Sequence, residues 1–317
     1  MATNTIGERQ DRATSLFGRR QRMSALRRKE AMYGYIAILP WLIGYLVFTA
    51  GPMVYSAYLV FTRWELITPP EWIGLGNFRY LAKDQVFRDT LYNTVIYTAF
   101  SVPLQLLVAL GVALLLNLNV RGTNVYRAVA FLPSQTPAVA SAMLWFFIFS
   151  PTSGLANAVV QWFGIPEQRW LWDIHLVKPA LITMAAWSFG GAMIIFLAGL
   201  QDIPQALYEA ADIDGASGWS KFRNITLPLL SPTIFFNLVI GLIGAFQVFT
   251  PIYLMTRGGP GTSSMVLGML IYRHGFEEFN MGYASLLAWV LFVIVIVLTI
   301  LQFTLARRWV YYEGDKA

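Results

Sequence analysis

Six long apolar runs constrain the fold of this chain more than any other feature. They cover approximately residues 34–61, 91–116, 129–149, 179–200, 233–256 and 283–306, and none contains Asp, Glu, Lys, Arg or His. Each run is close to or above the ~20 residues with which a helix crosses a bilayer. With 56% hydrophobic and 13% charged residues among 317, the chain is too apolar for a soluble domain. The sequence therefore predicts an all-α integral membrane protein with six transmembrane helices, in one membrane domain over residues 34–306.

The basic residues predict how these spans are oriented. Residues 1–33 form a basic tail, and the apolar run after it is far longer than the ~7–15-residue core of a signal peptide. If this tail is cytoplasmic, 15 of the 23 Lys and Arg residues lie on the cytoplasmic side. We therefore expect both termini in the cytoplasm, including the C-terminal tail 307–317. The formal net charge of +6 is explained by this orientation, and no nucleic-acid partner is expected.

Several chemical functions are disfavoured by what the sequence lacks. It has no Gly-x-x-x-x-Gly-Lys-Ser/Thr loop, so we expect no ATP site on this chain. Cysteine is absent, and His175 and His274 are about a hundred residues apart without ligands at metal spacing. We expect no enzyme activity and no bound metal or cofactor. A proton- or sodium-coupled transporter is also disfavoured, because such proteins usually keep an ionisable residue within the membrane.

A polar, strongly patterned segment separates the fourth and fifth apolar runs. We call residues 201–232 the Glu209 segment. Glu209, Ala210 and Ala211 are good helix formers, and Gly215 interrupts them. The first half of the segment is therefore predicted to be a short helix that ends near Gly215.

The second half of the Glu209 segment is predicted to form another short helical turn. Trp219, Phe222 and Ile225 recur at steps of three and give this turn an apolar face. Pro228 and Pro232 are expected to end the turn before the next apolar run. A unit of helix, break and helix has the shape of a docking element.

The Glu209 segment resembles the signature of a known family. The signature is Glu-Ala-Ala, three residues, Gly, nine residues and Ile-x-Leu-Pro. Its positions are filled here by Glu209, Ala210, Ala211, Gly215, Ile225, Leu227 and Pro228. On this pattern the chain resembles the membrane permease subunits of binding-protein-dependent ABC importers. The Gly258-Gly259-Pro260 sequence one span later is similar to their carbohydrate-uptake branch.

The resemblance implies that the Glu209 segment is a coupling helix that inserts into a groove of a separate ATPase subunit. Glu209 would form a charge pair with that subunit, Gly215 would make the bend, and Trp219 with Phe222 would form an apolar plug. The implied coupling set is Glu209, Ala210, Ala211, Asp214, Gly215, Trp219, Phe222, Leu227 and Pro228. ATP and Mg²⁺ would bind only to the partner ATPase.

The resemblance also implies the rest of the assembly. The chain would pair with a second, homologous permease subunit, two ATPase subunits and an extracytoplasmic solute-binding protein. It would cross a bacterial or archaeal cytoplasmic membrane and import a sugar, oligosaccharide or polyol by alternating access. Gly258, Gly259 and Pro260 would face the solute-binding protein.

A substrate cavity is expected between the spans that enter and leave the Glu209 segment. The expected lining residues share helical spacing on each span: Met184, Trp187, Ser188 and Gly191 on the entering span, and Gly241, Gly244, Ala245 and Val248 on the leaving span, with Gln247 as a polar addition. The same small residues are equally consistent with helix packing. Asn237 is a further polar residue on the leaving span, expected to bond between helices.

Two alternatives remain open from the sequence. The same architecture could import solutes that resemble glycerol phosphate, although the spans offer no basic residue to an anion. A channel or secondary transporter that works without ATP would leave the Glu209 segment without a role. Dependence on an ATPase discriminates between these classes.

Overall fold

The computed structural model describes residues 25–118 and 121–311, and most of this chain is helical. The α-helices are α1 (Ala25–Tyr45), α2 (Gly51–Leu59), α3 (Gly76–Lys83), α4 (Gln85–Leu116), α5 (Thr123–Gln135), α6 (Ala138–Ile148), α7 (Leu155–Gln161), α8 (Val177–Trp187), α9 (Gly190–Gln201), α10 (Gln205–Ile213), α11 (Gly218–Lys221), α12 (Leu227–Leu229), α13 (Ser231–Phe246), α14 (Thr250–Met255), α15 (Leu267–Tyr272) and α16 (Met281–Ala306). Short π-helical segments cover Leu46–Ala50, Phe222–Thr226 and Arg273–Glu277. Most of the predicted N-terminal tail and residues 312–317 of the C-terminal tail lie outside the described residues.

Within the described residues, between four and six helices could cross a membrane. Arg28–Leu59, Gln85–Leu116, Ser231–Met255 and Met281–Ala306 are each long and apolar enough. Two further candidates are bent pairs: α5 with α6, which meet at 94°, and α8 with α9, which meet at 47°. The count reaches the predicted six only if each bent pair is one span.

The bend between α5 and α6 coincides with two prolines. Pro133 lies within the last turn of α5, and Pro137 precedes the first residue of α6. Proline has no N–H and disfavours helical geometry in the residue before it, so Thr136 is extended at ψ 128°. The two prolines therefore accompany a break between α5 and α6. Helix α4, in contrast, continues through Pro103 without interruption.

Contacts divide the chain into two units, residues 1–56 and 57–317. In the second unit, α4 is the central helix and packs against α8, α9 and α13. Two apolar cores lie along it, one around Met184 and Ile252 and the other around Met193 and Phe196. In the span Arg28–Leu59, the most apolar 18-residue stretch has no buried residue.

A small hairpin lies beside the start of α16. Strands β1 (Thr62–Arg63) and β2 (Glu71–Trp72) pair antiparallel, with Thr62 opposite Trp72. The Asn77 side-chain amide donates to the carbonyl oxygens of Val60 and Thr62, at 2.8 and 2.9 Å. A Cβ atom on Gly282 would overlap the Thr62 carbonyl oxygen, so only glycine allows α16 to approach this closely.

Candidate functional site

The first half of the Glu209 segment is a helix with a well-formed C-terminal cap. Helix α10 ends at Ile213, and Gly215 follows with φ +73°. The Ala216 N–H donates to the Ala211 carbonyl at 2.9 Å, and the Gly215 N–H donates to the Asp212 carbonyl at 3.1 Å. These two bonds form a Schellman motif, in which glycine supplies the left-handed residue. The predicted break at Gly215 therefore has a local backbone cause.

The second half of the Glu209 segment differs from the prediction at its prolines. Pro228 and Pro232 do not end the helical turn, because α11, the π-helical segment, α12 and α13 follow one another with only Leu230 between α12 and α13. Each proline lies in the first turn of a helix. An N–H there has no partner within the helix, so proline is tolerated. The segment consequently runs directly into α13.

Two side-chain contacts hold the halves of the Glu209 segment together. The Lys221 ammonium pairs with an Asp212 carboxylate oxygen at 2.6 Å. The Tyr208 and Thr226 hydroxyls lie 2.9 Å apart, within hydrogen-bond distance. Both contacts join α10 to the helical turns after Gly215. The segment is thus a small folded unit with its own internal bonds.

The outer surface of the Glu209 segment carries exposed apolar side chains and an exposed acid, Glu209. Trp219 is 70% exposed and Ile213 is 88% exposed. The Trp219 ring lies 5.5 Å from the Phe222 ring, measured between centroids. Glu209 is exposed, and its carboxylate forms no ion pair within residues 25–118 and 121–311. Exposed large apolar groups beside an unpaired acid are typical of a protein-binding surface.

A cavity of about 430 Å³, which we call the central cavity, lies between the helices that flank the Glu209 segment. Its lining comes from α4, α5, α6, α8, α9, α13 and α14 and includes Gln105, Leu106, Pro133, Ser134, Thr136, Ala138, Ser141, Met184, Ser188, Gly191, Ala192, Ile195, Asn237, Ile240, Gly241 and Pro251. This volume falls within the range of small-molecule sites. None of these lining residues is charged.

Amide and hydroxyl groups give the central cavity its polarity. The Gln105 side-chain amide donates to the Ser188 carbonyl at 2.9 Å, and the Asn237 amide donates to the Thr233 carbonyl at 3.0 Å. In the part of the chain that the structure describes, neither amide oxygen has a hydrogen-bond donor. These oxygens can accept bonds from hydroxyl groups of a ligand. Sequence reasoning placed Asn237 between helices, but it bonds within its own helix.

Four of the predicted cavity residues line the central cavity: Met184, Ser188, Gly191 and Gly241. Trp187, Gly244, Ala245, Gln247 and Val248 do not. The predicted helical face assumed continuous helices, whereas α8 ends at Trp187 and α13 ends at Phe246. The Trp187 ring instead contacts the Trp145 ring, at 6.0 Å between centroids. Gln105, Ser134, Thr136 and Ser141 are lining residues that the sequence pattern did not single out.

The loop that contains Gly258, Gly259 and Pro260 is held against α4. The Asn93 amide donates to the carbonyl oxygens of Thr262 and Met265, at 2.7 and 3.1 Å. Gly258 is buried, and a Cβ there would lie 2.6 Å from the Met265 side chain. The loop is therefore a fixed surface at the end of α4 opposite the Glu209 segment.

Fold and site together are those of a helical membrane transport subunit, with a cavity among its helices and a folded polar segment between two of them. Residues 105–311 match the model of the binding-protein-dependent transport system inner membrane component family. The chain belongs to this family, which confirms the resemblance to ABC importer permeases. The match covers the central cavity and the Glu209 segment, and it also confirms the predicted membrane location.

Known relatives and a solved structure agree with this assignment. The chain is 42% identical to the Probable ABC transporter permease protein YesP of Bacillus subtilis, over 91% of this chain and 95% of that protein. It is 33% identical to the trehalose/maltose transport system permease protein MalF of Thermococcus litoralis, over 90% and 97%. A bacterial ABC transporter involved in the import of the acidic polysaccharide alginate has a chain with a TM-score of 0.76 and 28% identity, covering 88% of this chain and 96% of that one.

Proposed function

We propose that this chain is the permease subunit of an ATP-driven importer for a neutral sugar, oligosaccharide or polyol. The observation that carries the proposal is the Glu209 segment, a folded and exposed docking unit that connects two helices of the central cavity. The chain spans the membrane six times, with both termini in the cytoplasm. This orientation places the Glu209 segment on the side where ATP is available.

The connections of the Glu209 segment support a lever mechanism. Helix α9 ends at Gln201 and α10 begins at Gln205, so few residues can absorb movement between them. At the other end, α12 and α13 are separated by Leu230 alone. Movement of the segment must therefore shift α9 and α13, which carry Gly191 and Gly241 into the cavity wall. An ATPase dimer that binds the segment differently in its open and closed states would bias the cavity between inward and outward access.

The residues of the Glu209 segment have separate roles in this mechanism. Glu209 pairs with a basic group of the ATPase, and Trp219 with Phe222 enters an apolar groove of that subunit. Gly215 sets the angle between the two halves. Ala210, Ala211, Asp214, Leu227 and Pro228 complete the contact surface.

The proposed assembly contains partners that supply what this chain lacks. Two ATPase subunits bind ATP and Mg²⁺, and a homologous permease completes the passage. A solute-binding protein delivers the substrate at the opposite face, where Gly258, Gly259 and Pro260 lie. The alginate importer has also been crystallised with a periplasmic protein bound to alginate pentasaccharide, which supports this partner.

The uncharged lining of the central cavity favours a neutral substrate. The amide oxygens of Gln105 and Asn237 suit hydroxyl donors, and Met184 offers an apolar surface to a sugar ring. A phosphate or carboxylate would be buried there without a basic group among the described lining residues, which is costly. The second candidate is an acidic saccharide, favoured by the likeness to the alginate importer, with the partner permease supplying the basic groups.

A matched pair of substitutions tests the role of the central cavity. Gly191 and Gly244 are exposed helical glycines with no atom within 4 Å of an added Cβ, but only Gly191 lines the cavity. Gly191→Phe should therefore reduce uptake of a labelled sugar at least tenfold in cells that express the full transporter. Gly244→Phe should leave it within about twofold. Equal uptake by both variants would contradict the assignment, and uptake of only acidic saccharides would favour the second candidate.

A further inference from the structure

A second cavity opens on the outside of the helix bundle, away from the central cavity. It has a volume of about 580 Å³ and lies between α4 and α8, and we call it the lateral groove. Its α4 wall includes Tyr92, Ile96, Phe100 and Leu104, spaced four residues apart on one helical face. Phe100 is 58% exposed, so the groove is accessible from the bundle surface.

The lateral groove is apolar along its length and basic at one end. Lys178 lies in the first turn of α8, and its ammonium is 5.5 Å from the centroid of the Tyr92 ring. Among the residues that the structure describes, no carboxylate pairs with this ammonium. His175 lines the same end and is exposed. A cation over an aromatic face is held in place while its donors stay available.

The dimensions of the lateral groove match one leaflet of a bilayer. Twelve residues separate Tyr92 from Leu104, which corresponds to about 18 Å of helix. One leaflet contributes about half of the ~30 Å hydrocarbon core. The basic end lies where α4 and α8 begin, in the membrane half opposite the Glu209 segment. A Lys side chain near the end of a membrane helix extends its ammonium group to the interface, where the lipid phosphates lie.

We propose that the lateral groove binds an anionic phospholipid, with an acyl chain along Ile96, Phe100 and Leu104 and the phosphate at Lys178. A transmembrane helix of a partner is the less suitable occupant. Such a helix would need a groove across the whole membrane, whereas this groove ends before the break after Trp187. It would also bury the Lys178 ammonium, which no acid among the described residues of this chain pairs with.

Photolabelling of the complete transporter tests the lipid site. The complex is placed in nanodiscs of phosphatidylglycerol and phosphatidylcholine, and a diazirine is attached to the acyl chain of one lipid at a time. Peptides with Phe100 and Ile182 should be labelled about fivefold more by the phosphatidylglycerol probe, since one basic residue contributes about 1 kcal/mol near an anionic surface. Lys178→Gln should remove this preference, and Lys178→Arg should retain it.

Two further variants keep the test decisive. Lys83→Gln removes an exposed charge that does not line the groove and should change nothing. Ile96→Trp fills the apolar part and should lower labelling by both probes, even if Lys178→Gln fails to assemble. Equal labelling by both lipids, or full preference in Lys178→Gln, would overturn the proposal. So would a crosslink that placed a partner helix in the groove.

Discussion

Removal of the Trp219 ring should weaken binding to the ATPase subunit without unfolding the chain. The side chain is 70% exposed, so Trp219→Ala removes little buried surface within this chain. An aromatic side chain can bury ~150–250 Å², which leaves roughly 100–175 Å² available for docking. At ~25 cal/mol per Å², complete burial contributes about 2.5–4 kcal/mol. The ATPase covers the ring only in part, and the alanine methyl group keeps some contact. The expected loss of binding free energy is therefore about 1.5–2 kcal/mol, or about 10- to 30-fold in Kd.

The binding measurement for Trp219→Ala needs a control in which another exposed tryptophan is replaced by alanine. The ATPase subunit that co-purifies with the wild-type complex is titrated onto permease complexes in nanodiscs, and Kd is read by interferometry. Trp162→Ala is the matched control, because Trp162 is 84% exposed in the loop before α8, away from the Glu209 segment. Its Kd should stay at the wild-type value. A Trp219→Ala complex with a Kd within twofold of wild type would refute the docking role of this ring.

Three other substitutions have distinct expected outcomes. Glu209→Ala should lower the stimulation of ATPase activity by the loaded binding protein about tenfold or more, because a hydrogen bond to a charged group contributes about 1.5–3 kcal/mol. Unchanged stimulation, in a variant with an unchanged circular dichroism spectrum, would reject the ion pair between Glu209 and the ATPase. Gly215→Ala should destabilise the Glu209 segment by about 1–2 kcal/mol because φ is +73° at this position, and Gly215→Asn should destabilise it less. Equal protection of the two variants from proteolysis would contradict this difference in stability. Gly282→Ala should lower the apparent Tm, because the added Cβ would overlap the Thr62 carbonyl oxygen. Gly111→Ala should not lower it, because an added Cβ has free space there. Thermal unfolding followed by fluorescence measures both values.

The parts of the fold that depend on local chemistry could be predicted from the sequence. Four of the six apolar runs coincide with helices that are long and apolar enough to cross a membrane, because a bilayer tolerates little else over that length, and the other two coincide with bent pairs. The break at Gly215 was predictable because a left-handed residue after a helix strongly favours glycine. The prediction that Pro228 and Pro232 end the helical turn was wrong, because proline is tolerated in the first turn of a helix and interrupts it only further along.

The shape of the central cavity depends on contacts between distant residues and could not be predicted in full. The break between α8 and α9 frees the Ser188 carbonyl, which accepts a hydrogen bond from Gln105, 83 residues earlier. No pattern near Ser188 indicates that partner. Trp187 is not among the lining residues and its ring contacts that of Trp145, whereas Ser188 and Gly191 lie in the cavity wall. Helical spacing therefore matched four of the nine expected lining residues of this cavity, Met184, Ser188, Gly191 and Gly241.

We propose that this chain couples solute import to ATP hydrolysis by a partner subunit. The most direct test is mild-detergent purification of the chain expressed with its neighbouring genes. Co-purifying proteins are then identified by mass spectrometry, and ATPase activity is measured with candidate sugars and the binding protein. We predict an ATPase and a second permease in the complex, with hydrolysis stimulated by one sugar-loaded binding protein. A chain that purified alone and moved solute without ATP would contradict the claim.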